Sequence, residues 1–283
     1  MTEKPIVLGV ISDPHFGSLW GLWPKNHRNK DGGSRILNPG QEYLSECWQD
    51  FQTWLPPKLD VLMVAGDASD GDGRKDAGIY QVTPDVDEQV DAGVEALGPL
   101  AARADLLYVV DGTRYHGWPR DAKTLAQKLG AVQHPVGSYA PPVWSIEVGG
   151  VYIELWHKLS DAQIYTAQAM QRETMFSRTV AEAKGFSTDL IIVGHWHSYR
   201  AYEDGAMTVL TVPCWELQTP WAQAKPNLWM PNIGGLVVYL YPDNRGKGMR
   251  LIDWEKRIYP LPKREVSHIA ITGTGKKRKL TTT

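Results

Sequence analysis

Short apolar runs alternate with amphipathic stretches through the first 110 residues. Pro5–Ile11, Asp60–Ala65 and Leu106–Val110 are apolar runs of the length and composition typical of buried strands. Over 44–55 and 86–97, apolar residues recur every three or four positions and predict amphipathic helices. This order of strand, helix, strand, helix, strand favours a mostly parallel sheet in an α/β architecture.

The second half of the chain has the pattern of a different sheet. Val143–Val148 and Val151–Trp156 flank a Gly-Gly pair and predict a hairpin. A helical stretch covers 160–184, and Leu190–Val193 predicts a buried strand after it. Shorter alternating segments predict further strands of an antiparallel or mixed sheet at Met207–Val212, Leu236–Tyr241 and Met249–Trp254.

Composition limits the class of protein. With 283 residues and 42% hydrophobic content, the chain can bury a substantial core. No linker divides it, so we expect one domain over 1–272, followed by a flexible basic tail over 273–283 that contains Lys276–Lys279. The net charge of -2 creates no overall field that would attract a polyanion. Because two cysteines form no disulfide framework and no run approaches membrane-spanning length, we expect a cytoplasmic protein with no membrane contact.

Small polar clusters occur where the predicted strands end. There are five of them: Asp13-Pro14-His15, Gly66-Asp67, Gly112-Thr113-Arg114-Tyr115-His116, Trp156-His157 and Gly194-His195-Trp196-His197. Strand ends at one edge of an α/β sheet converge, and ligands bind there. We therefore expect these carboxylates and imidazoles to meet in one cleft.

The side chains of these clusters suit divalent metals. Imidazole and carboxylate without thiolate point to manganese, iron or zinc rather than to a structural zinc cage. A pair of metals needs a bridging carboxylate, and such a pair can clamp an in-line displacement at phosphorus. A two-metal hydrolase of phosphate esters is therefore the predicted class.

The five clusters, in this order, resemble the calcineurin-like metallophosphoesterase superfamily across about Ile6 to Val212. The resemblance implies a two-sheet β-sandwich flanked by helices and two divalent metal ions, with Mn²⁺ expected and iron or zinc as alternatives. It implies that Asp70 supports the site from behind the ligands and that Asp67 bridges the metals. The remaining ligands that it implies are Asp13, His15 and His197 for the first metal, and His157 and His195 for the second.

One cluster departs from the family pattern. Relatives have Gly-Asn-His, in which the Asn binds the second metal, whereas Gly112 is followed by Thr113 and no His appears before His116. Either Thr113 contributes to the second metal and His116 takes the place of the usual catalytic His, or the second site is weak and the protein is slow or inactive. The first explanation is favoured because the other ligand types are present, and such a variant resembles phage or prophage members. In that hypothesis His116 or Arg114 stabilises the developing charge or protonates the leaving oxygen.

The substrate is less well indicated than the reaction. The leading hypothesis is a phosphodiesterase or nuclease acting on nucleic acid or nucleotides, in which loop tryptophans stack on bases. Most of these tryptophans are nevertheless expected to pack: Trp20, Trp23, Trp118, Trp196, Trp215, Trp221 and Trp229. The alternatives are a phosphomonoesterase for a small metabolite or phosphoprotein, and a non-catalytic binding member of the fold. The sequence gives no oligomeric state.

Overall fold

The structure is a computed structural model and describes residues 4–73, 77–116, 119–159, 166–205, 207–224, 230–262, 269–272 and 279–282. In chain order its elements are β1 (Ile6–Ile11), α1 (Pro39–Trp54), β2 (Leu59–Val64), α2 (Val86–Ala101), β3 (Ala104–Val109), α3 (Pro119–Lys128), β4 (Val143–Val148), β5 (Val151–Trp156), α4 (Thr166–Thr179), α5 (Ala181–Lys184), β6 (Leu190–Val193), β7 (Arg200–Glu203), β8 (Thr208–Thr211), α6 (Pro220–Gln223), β9 (Ile233–Leu240), a 3₁₀ turn (Pro242–Asn244), β10 (Ile252–Tyr259), β11 (Ile269–Thr272) and β12 (Lys279–Thr282).

Two five-stranded sheets form the centre of the molecule. The first has the order β10-β9-β1-β2-β3, in which β1, β2 and β3 are parallel and β9 and β10 are added antiparallel. The second has the order β4-β5-β6-β8-β7, with a parallel centre and an antiparallel strand at each edge. Both sheets are therefore mixed, and the first is completed by strands from far along the chain.

Apolar residues on both faces of each sheet explain the layers. Leu8 and Val10 of β1 belong to the same fully buried cluster as Leu190 and Ile192 of β6, so this core lies between the sheets. The opposite face of the first sheet packs on α1, α2 and α3, and that of the second sheet packs on α4. The predicted α/β class, a two-sheet sandwich flanked by helices, is confirmed.

Several elements differ from the sequence prediction. The helical stretch predicted over 160–184 is divided into α4 and α5 at Val180, and residues 160–165 lie outside the described residues. The last long strand runs over Ile252–Tyr259 rather than from Met249 to Trp254. The exposed residues of this edge strand are mostly charged, so its sequence lacks the apolar alternation by which strands are predicted. The helix α3 and the strand β7 were not predicted.

The C-terminal prediction is only partly covered by the described residues. The strand β12 lies inside the segment expected to be a flexible tail. It pairs antiparallel with β11, which precedes that segment. Residues 273–278 and 283 lie outside the described residues, so the boundary at 272 stays a prediction. In the described parts of the chain, no helix is long and apolar enough to cross a bilayer.

Candidate metal centre

The polar clusters follow strands of both sheets and are joined by backbone hydrogen bonds. Asp13 comes after β1 and Asp67 after β2, and the Asp13 N–H donates to the Gly66 carbonyl at 3.1 Å. The His15 N–H donates to the Asp67 carbonyl at 3.2 Å. From the second sheet, His157 follows β5 directly and His195 lies just beyond β6. The structure thus brings side chains from distant parts of the chain to one place.

The first cluster consists of Asp13, His15 and His197. The two Nε2 atoms of His15 and His197 lie 3.2 Å apart. Asp13 Oδ1 is 3.2 Å from His197 Nε2 and 3.8 Å from His15 Nε2. Asp13 Oδ2 accepts hydrogen bonds from the Ser12 hydroxyl and from the His195 N–H. These bonds fix the carboxylate so that Oδ1 faces the two imidazoles.

The second cluster consists of Asp67, His157 and His195. His157 Nδ1 lies 2.7 Å from the Ala65 carbonyl, which only a protonated Nδ1 can bond. This contact directs Nε2 toward Asp67 Oδ2, 3.0 Å away. A histidine whose other ring nitrogen is held by a carbonyl is the usual arrangement of a metal ligand. Within the described residues Asp67 groups with these two histidines, so its bridging to the first cluster stays a prediction.

Unusual backbone geometry marks the same side chains. Among the described residues, six that are not glycine have positive φ, and five of them are expected ligands: Asp13 (51°), His15 (44°), Asp67 (44°), His195 (68°) and His197 (51°). The left-handed region costs an L-residue about 1–2 kcal/mol, and such strain persists where the surrounding structure enforces it. On these tight turns, rather than on extended backbone, each Asp-x-His or His-x-His pair reaches the cleft.

Burial and close opposite charges shift the pKa values of the second cluster. Burial opposes ionisation of Asp67, but the neighbouring His157 nevertheless holds the pKa of this carboxyl below its usual range. Burial likewise disfavours the imidazolium of His157, but Asp67 raises the pKa of His157 to about 9. For His195, burial and the adjacent His157 lower the pKa to about 4, which leaves a neutral ring. The ionised Asp67 and the neutral His195 are in the forms that bind metal, whereas His157 would release a proton when it binds one.

Unpaired buried atoms support the same interpretation. Within the described part of the chain, Asp13 Oδ1 and His157 Nε2 are buried and make no hydrogen bond of good geometry, although they lie 3.2 Å from His197 Nε2 and 3.0 Å from Asp67 Oδ2. A buried polar atom without a partner is costly and calls for an explanation. Both atoms face their clusters, where a divalent cation would satisfy them, and the donor set fits manganese, iron or zinc.

The segment Gly112–His116, which departs from the family pattern, lies beside both the first and the second cluster. The Thr113 N–H donates to Asp67 Oδ1 at 2.6 Å, and the Thr113 hydroxyl lies 3.1 Å from Asp67 Oδ2. Gly112 permits this approach, since a Cβ there would lie 2.0 Å from Asp67 Oδ1. Thr113 is thus adjacent to the second cluster, as expected, while its ligation of metal stays a prediction.

His116 and Arg114 lie on the turn that follows. His116 Nδ1 is 3.1 Å from Asp70 Oδ1, and the His116 ring meets the edge of the His15 ring at 4.5 Å. Asp70 also lies 3.5 Å from His15 Nδ1. Asp70 therefore contacts both a ligand of the first cluster and the expected catalytic histidine. Arg114 is exposed, and no role for it follows from its contacts.

Glu216 is a neighbour of the first cluster that the sequence analysis missed. It is only 4% exposed, and its Oε2 lies 3.7 Å from His15 Nε2 and 3.8 Å from His197 Nδ1. No apolar strand leads directly into it, because four residues, 212–215, separate it from β8. The sequence analysis considered polar residues directly after predicted strands, and Glu216 is not in such a position.

Five of the loop tryptophans named above lie within the described residues, and three of these five are buried. Trp23, Trp196 and Trp215 are buried, which agrees with the expectation that most of them pack. Trp221 is 61% exposed. Trp118 and Trp229 lie outside the described residues.

Comparison with known proteins gives only distant likenesses. No family model matches the sequence, and no curated protein matches it. Among solved structures, wild-type Vps29 complexed with Zn²⁺ from Entamoeba histolytica is similar with a TM-score of 0.41 at 13% identity, covering 89% of this chain and 98% of that one. An archaeal phosphodiesterase has a TM-score of 0.42 at 10% identity, covering 89% and 99%. A predicted phosphoesterase from Streptococcus pneumoniae has a TM-score of 0.37 at 14% identity, covering 90% and 99%. Likenesses this distant say nothing about substrate, so the side chains of the site must carry the functional argument.

Proposed function

We propose that this protein is a metal-dependent phosphoesterase with two divalent cations, Mn²⁺ being the expected metal. The observation that carries the proposal is the pair of adjacent His and Asp clusters, whose unpaired buried atoms face inward. The first cation would be held by Asp13, His15 and His197. The second would be held by His157 and His195, with Asp67 as the bridge and Thr113 as a further donor. Such a pair of cations supplies a nucleophilic water and neutralises phosphoryl oxygens.

His116 is the proposed general acid. Because Asp70 lies against Nδ1, the proton for the leaving oxygen would be carried on Nε2. The side chain of His116 is 29% exposed, so a substrate can reach it, whereas that of His15 is fully buried. Asp70 positions this ring and compensates its charge when it is protonated. Arg114, exposed on the same turn, would bind an oxygen of the phosphoryl group.

We further propose a phosphodiester substrate, in nucleic acid or a nucleotide. Support comes from the exposed Arg114 and Tyr115 beside His116, which could contact a second phosphate substituent. The net charge of -2 and the burial of several loop tryptophans argue against a long polyanion bound over a wide surface. A short or locally held nucleic-acid segment, or a nucleotide, fits these facts better.

One observation favours a second candidate function. Thr113 stands where the family motif has Asn, so this position offers the second cluster a hydroxyl, 3.1 Å from Asp67 Oδ2, and no neutral amide. A weak second site would make the protein slow or inactive, as a non-catalytic binding member of the fold would be.

Hydrolysis of bis-p-nitrophenyl phosphate and p-nitrophenyl phosphate with added Mn²⁺ tests the proposal. We expect the diester to be cleaved in a metal-dependent way, and Asp67→Asn to abolish cleavage. Asp105→Asn, at an exposed carboxylate that pairs with Lys58, is the matched control and should behave as wild type. Preference for the monoester would favour the phosphomonoesterase, and no turnover with metal bound would favour the binding function.

A further inference from the structure

The two oxygens of the Asp70 carboxylate have different partners. Oδ1 lies 3.1 Å from Nδ1 of His116, the proposed general acid, and 3.5 Å from His15 Nδ1. Oδ2 accepts a hydrogen bond from Gln81 Nε2 at 3.3 Å. The torsion of an aspartate carboxylate about its Cβ–Cγ bond is soft, so contacts to one oxygen leave the plane of the group poorly fixed. The bond from Gln81 to the other oxygen fixes this plane and keeps Oδ1 directed at His116.

The orientation of the Gln81 amide follows from its partners. Besides Asp70 Oδ2, Gln81 Nε2 donates to the Gly71 carbonyl at 2.6 Å. A carboxylate and a carbonyl only accept hydrogen bonds, so the group that faces both of them is the NH₂ of the amide. Gln81 Oε1 packs against Gly73 and has no hydrogen-bond partner among the described residues. The amide is therefore held in one orientation, as a donor to Asp70.

The backbone of Gln81 is attached to the loop that follows the first cluster. Gln81 forms an antiparallel bridge with Ser18, and the Val82 N–H donates to the Gly17 carbonyl at 2.7 Å. Gly17 and Ser18 come two and three residues after His15. The fold thus places the Gln81 amide beside Asp70 through pairing of two chain segments.

A second glutamine, Gln89 of α2, holds the backbone of the same turn. Its side chain is fully buried, and its Oε1 accepts from the N–H groups of Asp70 and Gly71 at 3.2 and 3.0 Å. Its Nε2 donates to the carbonyls of Gly71 and Thr83 at 2.7 and 2.8 Å. These four bonds shape the turn through its backbone, whereas Gln81 bonds to the side chain of Asp70. The two glutamines therefore have separable roles.

We propose that Gln81 is a positioning residue for His116 and acts on it through Asp70. The proposal rests on the proposed function and adds the residue that keeps the proton donor aligned. With Oδ1 of Asp70 on Nδ1 of His116, the Nε2 proton is available to the leaving oxygen, which takes it as the P–O bond breaks. Without the bond from Gln81 the carboxylate turns, and the ring loses its fixed orientation. The metal centre stays intact, but part of the proton transfer is lost.

The test variant is Gln81→Met, which keeps the length of the side chain and removes its N–H donors. The fold should tolerate the change, because the Gly71 carbonyl still accepts from Gln89 and the lost Oε1 has no partner among the described residues. Rates are measured on diphenyl phosphate and on bis-p-nitrophenyl phosphate at saturating Mn²⁺. Phenolate is the more basic leaving group and depends more on a proton.

We expect Gln81→Met to lower kcat on diphenyl phosphate by about tenfold, a part of the 10²–10⁴-fold that general acid catalysis supplies, and on bis-p-nitrophenyl phosphate by less than about twofold. Gln49→Met, at an exposed position on α1, is the matched control and should behave as wild type on both esters. Equal losses on the two esters, or no loss on diphenyl phosphate, would overturn the proposal.

A double variant separates positioning from a structural effect. If Gln81 acts through His116, adding Gln81→Met to His116→Gln should cause no further loss on diphenyl phosphate. Losses that multiply would show an independent effect and overturn the proposal. Gln89→Met gives the structural comparison, since it should lower the Tm and slow both esters equally. The same behaviour in Gln81→Met would also contradict positioning.

Proton NMR of the imidazole N–H groups reads the positioning without turnover, in full-length protein loaded with diamagnetic Zn²⁺. The Nδ1–H of His116, bonded to Asp70, should give a downfield resonance that is identified by its loss in His116→Gln. It should weaken or disappear in Gln81→Met and persist in Gln49→Met. A wild type without this resonance would contradict the hydrogen bond on which the proposal rests.

These measurements distinguish this inference from the proposed function. Loss of the resonance in Gln81→Met, in a protein that hydrolyses no ester, would retain the positioning and reject the enzyme. Hydrolysis by wild type, with an unchanged resonance and equal losses on both esters in Gln81→Met, would retain the enzyme and reject the positioning. No hydrolysis together with an unchanged resonance would reject both.

Discussion

The two clusters lie side by side but have different surroundings. Around the first cluster, His15 contacts the carboxylates of both Asp70 and Glu216. Around the second, His157 is held by the Ala65 carbonyl, and Asp67 accepts from the neutral Thr113. If both clusters bind cations as proposed, the greater negative charge near the first would favour tighter binding there. In that proposal Thr113, where the chain departs from the motif that it resembles, lies at the weaker site, and activity would depend on that site being filled.

The largest expected effect comes from removing the carboxylate that should join the two sites. In Asp67→Asn, turnover of the diester should fall by about a thousandfold or more, because several kcal/mol of charge stabilisation depend on the metal pair. Steady-state rates at saturating Mn²⁺ measure this. A loss below tenfold would contradict the proposed bridging role, since the two clusters would then act independently of Asp67.

A somewhat smaller effect is expected at the proposed general acid. His116→Gln should lower the rate by about 10²–10⁴-fold for esters with an alkoxide leaving group. The loss should be much smaller for p-nitrophenyl esters, whose leaving group needs no proton. Metal content, measured by elemental analysis, should equal that of wild type. Equal losses on both kinds of ester would contradict proton donation by His116.

The Mn²⁺ affinities of the two clusters test the difference between their surroundings directly. Wild-type protein should bind two Mn²⁺ ions in separate calorimetric steps, the first about tenfold or more tighter than the second, a difference of about 1.4 kcal/mol. His197→Gln should remove the tight step, and His157→Gln should remove the weak one. The reverse assignment, or two equal steps in wild type, would show that the surrounding carboxylates do not set the affinities.

The smallest expected effect comes from substitutions of Thr113, where the chain departs from the family motif. Thr113→Asn restores the amide donor of the family motif and should tighten the second site a few-fold. Thr113→Val removes the hydroxyl beside Asp67 while keeping the shape of the side chain, and should weaken it. Calorimetry on the two variants checks both directions. If neither variant changes the weak step, Thr113 does not take part in metal binding.

The side chains of both clusters could be predicted because each follows a buried apolar strand, and the ends of neighbouring strands meet. Asp13, Asp67 and His195 come within three residues of β1, β2 and β6. Their left-handed backbone could not be predicted, because Asp and His rarely adopt it and only the packed turns enforce it. The pairing of Asp70 with His116 also needed the fold, since 46 residues separate them.

Other features depend on long-range pairing that a local pattern does not contain. The strand β9 joins the first sheet beside β1 although more than 200 residues lie between them. Nothing in an apolar run such as Ile233–Leu240 indicates which sheet it will enter. Glu216 was missed for a related reason, because it is fixed through Ser18, Trp20 and Asp13 rather than by a strand that precedes it.

The measurement that tests the central claim most directly follows turnover and bound metal together. Mn²⁺ is added stepwise to metal-free protein while the hydrolysis of bis-p-nitrophenyl phosphate and the amount of bound Mn²⁺ are recorded. A two-metal phosphoesterase predicts little activity at one equivalent and a steep rise as the second equivalent binds. Full binding of two equivalents with no hydrolysis, or hydrolysis by the metal-free protein, would contradict it.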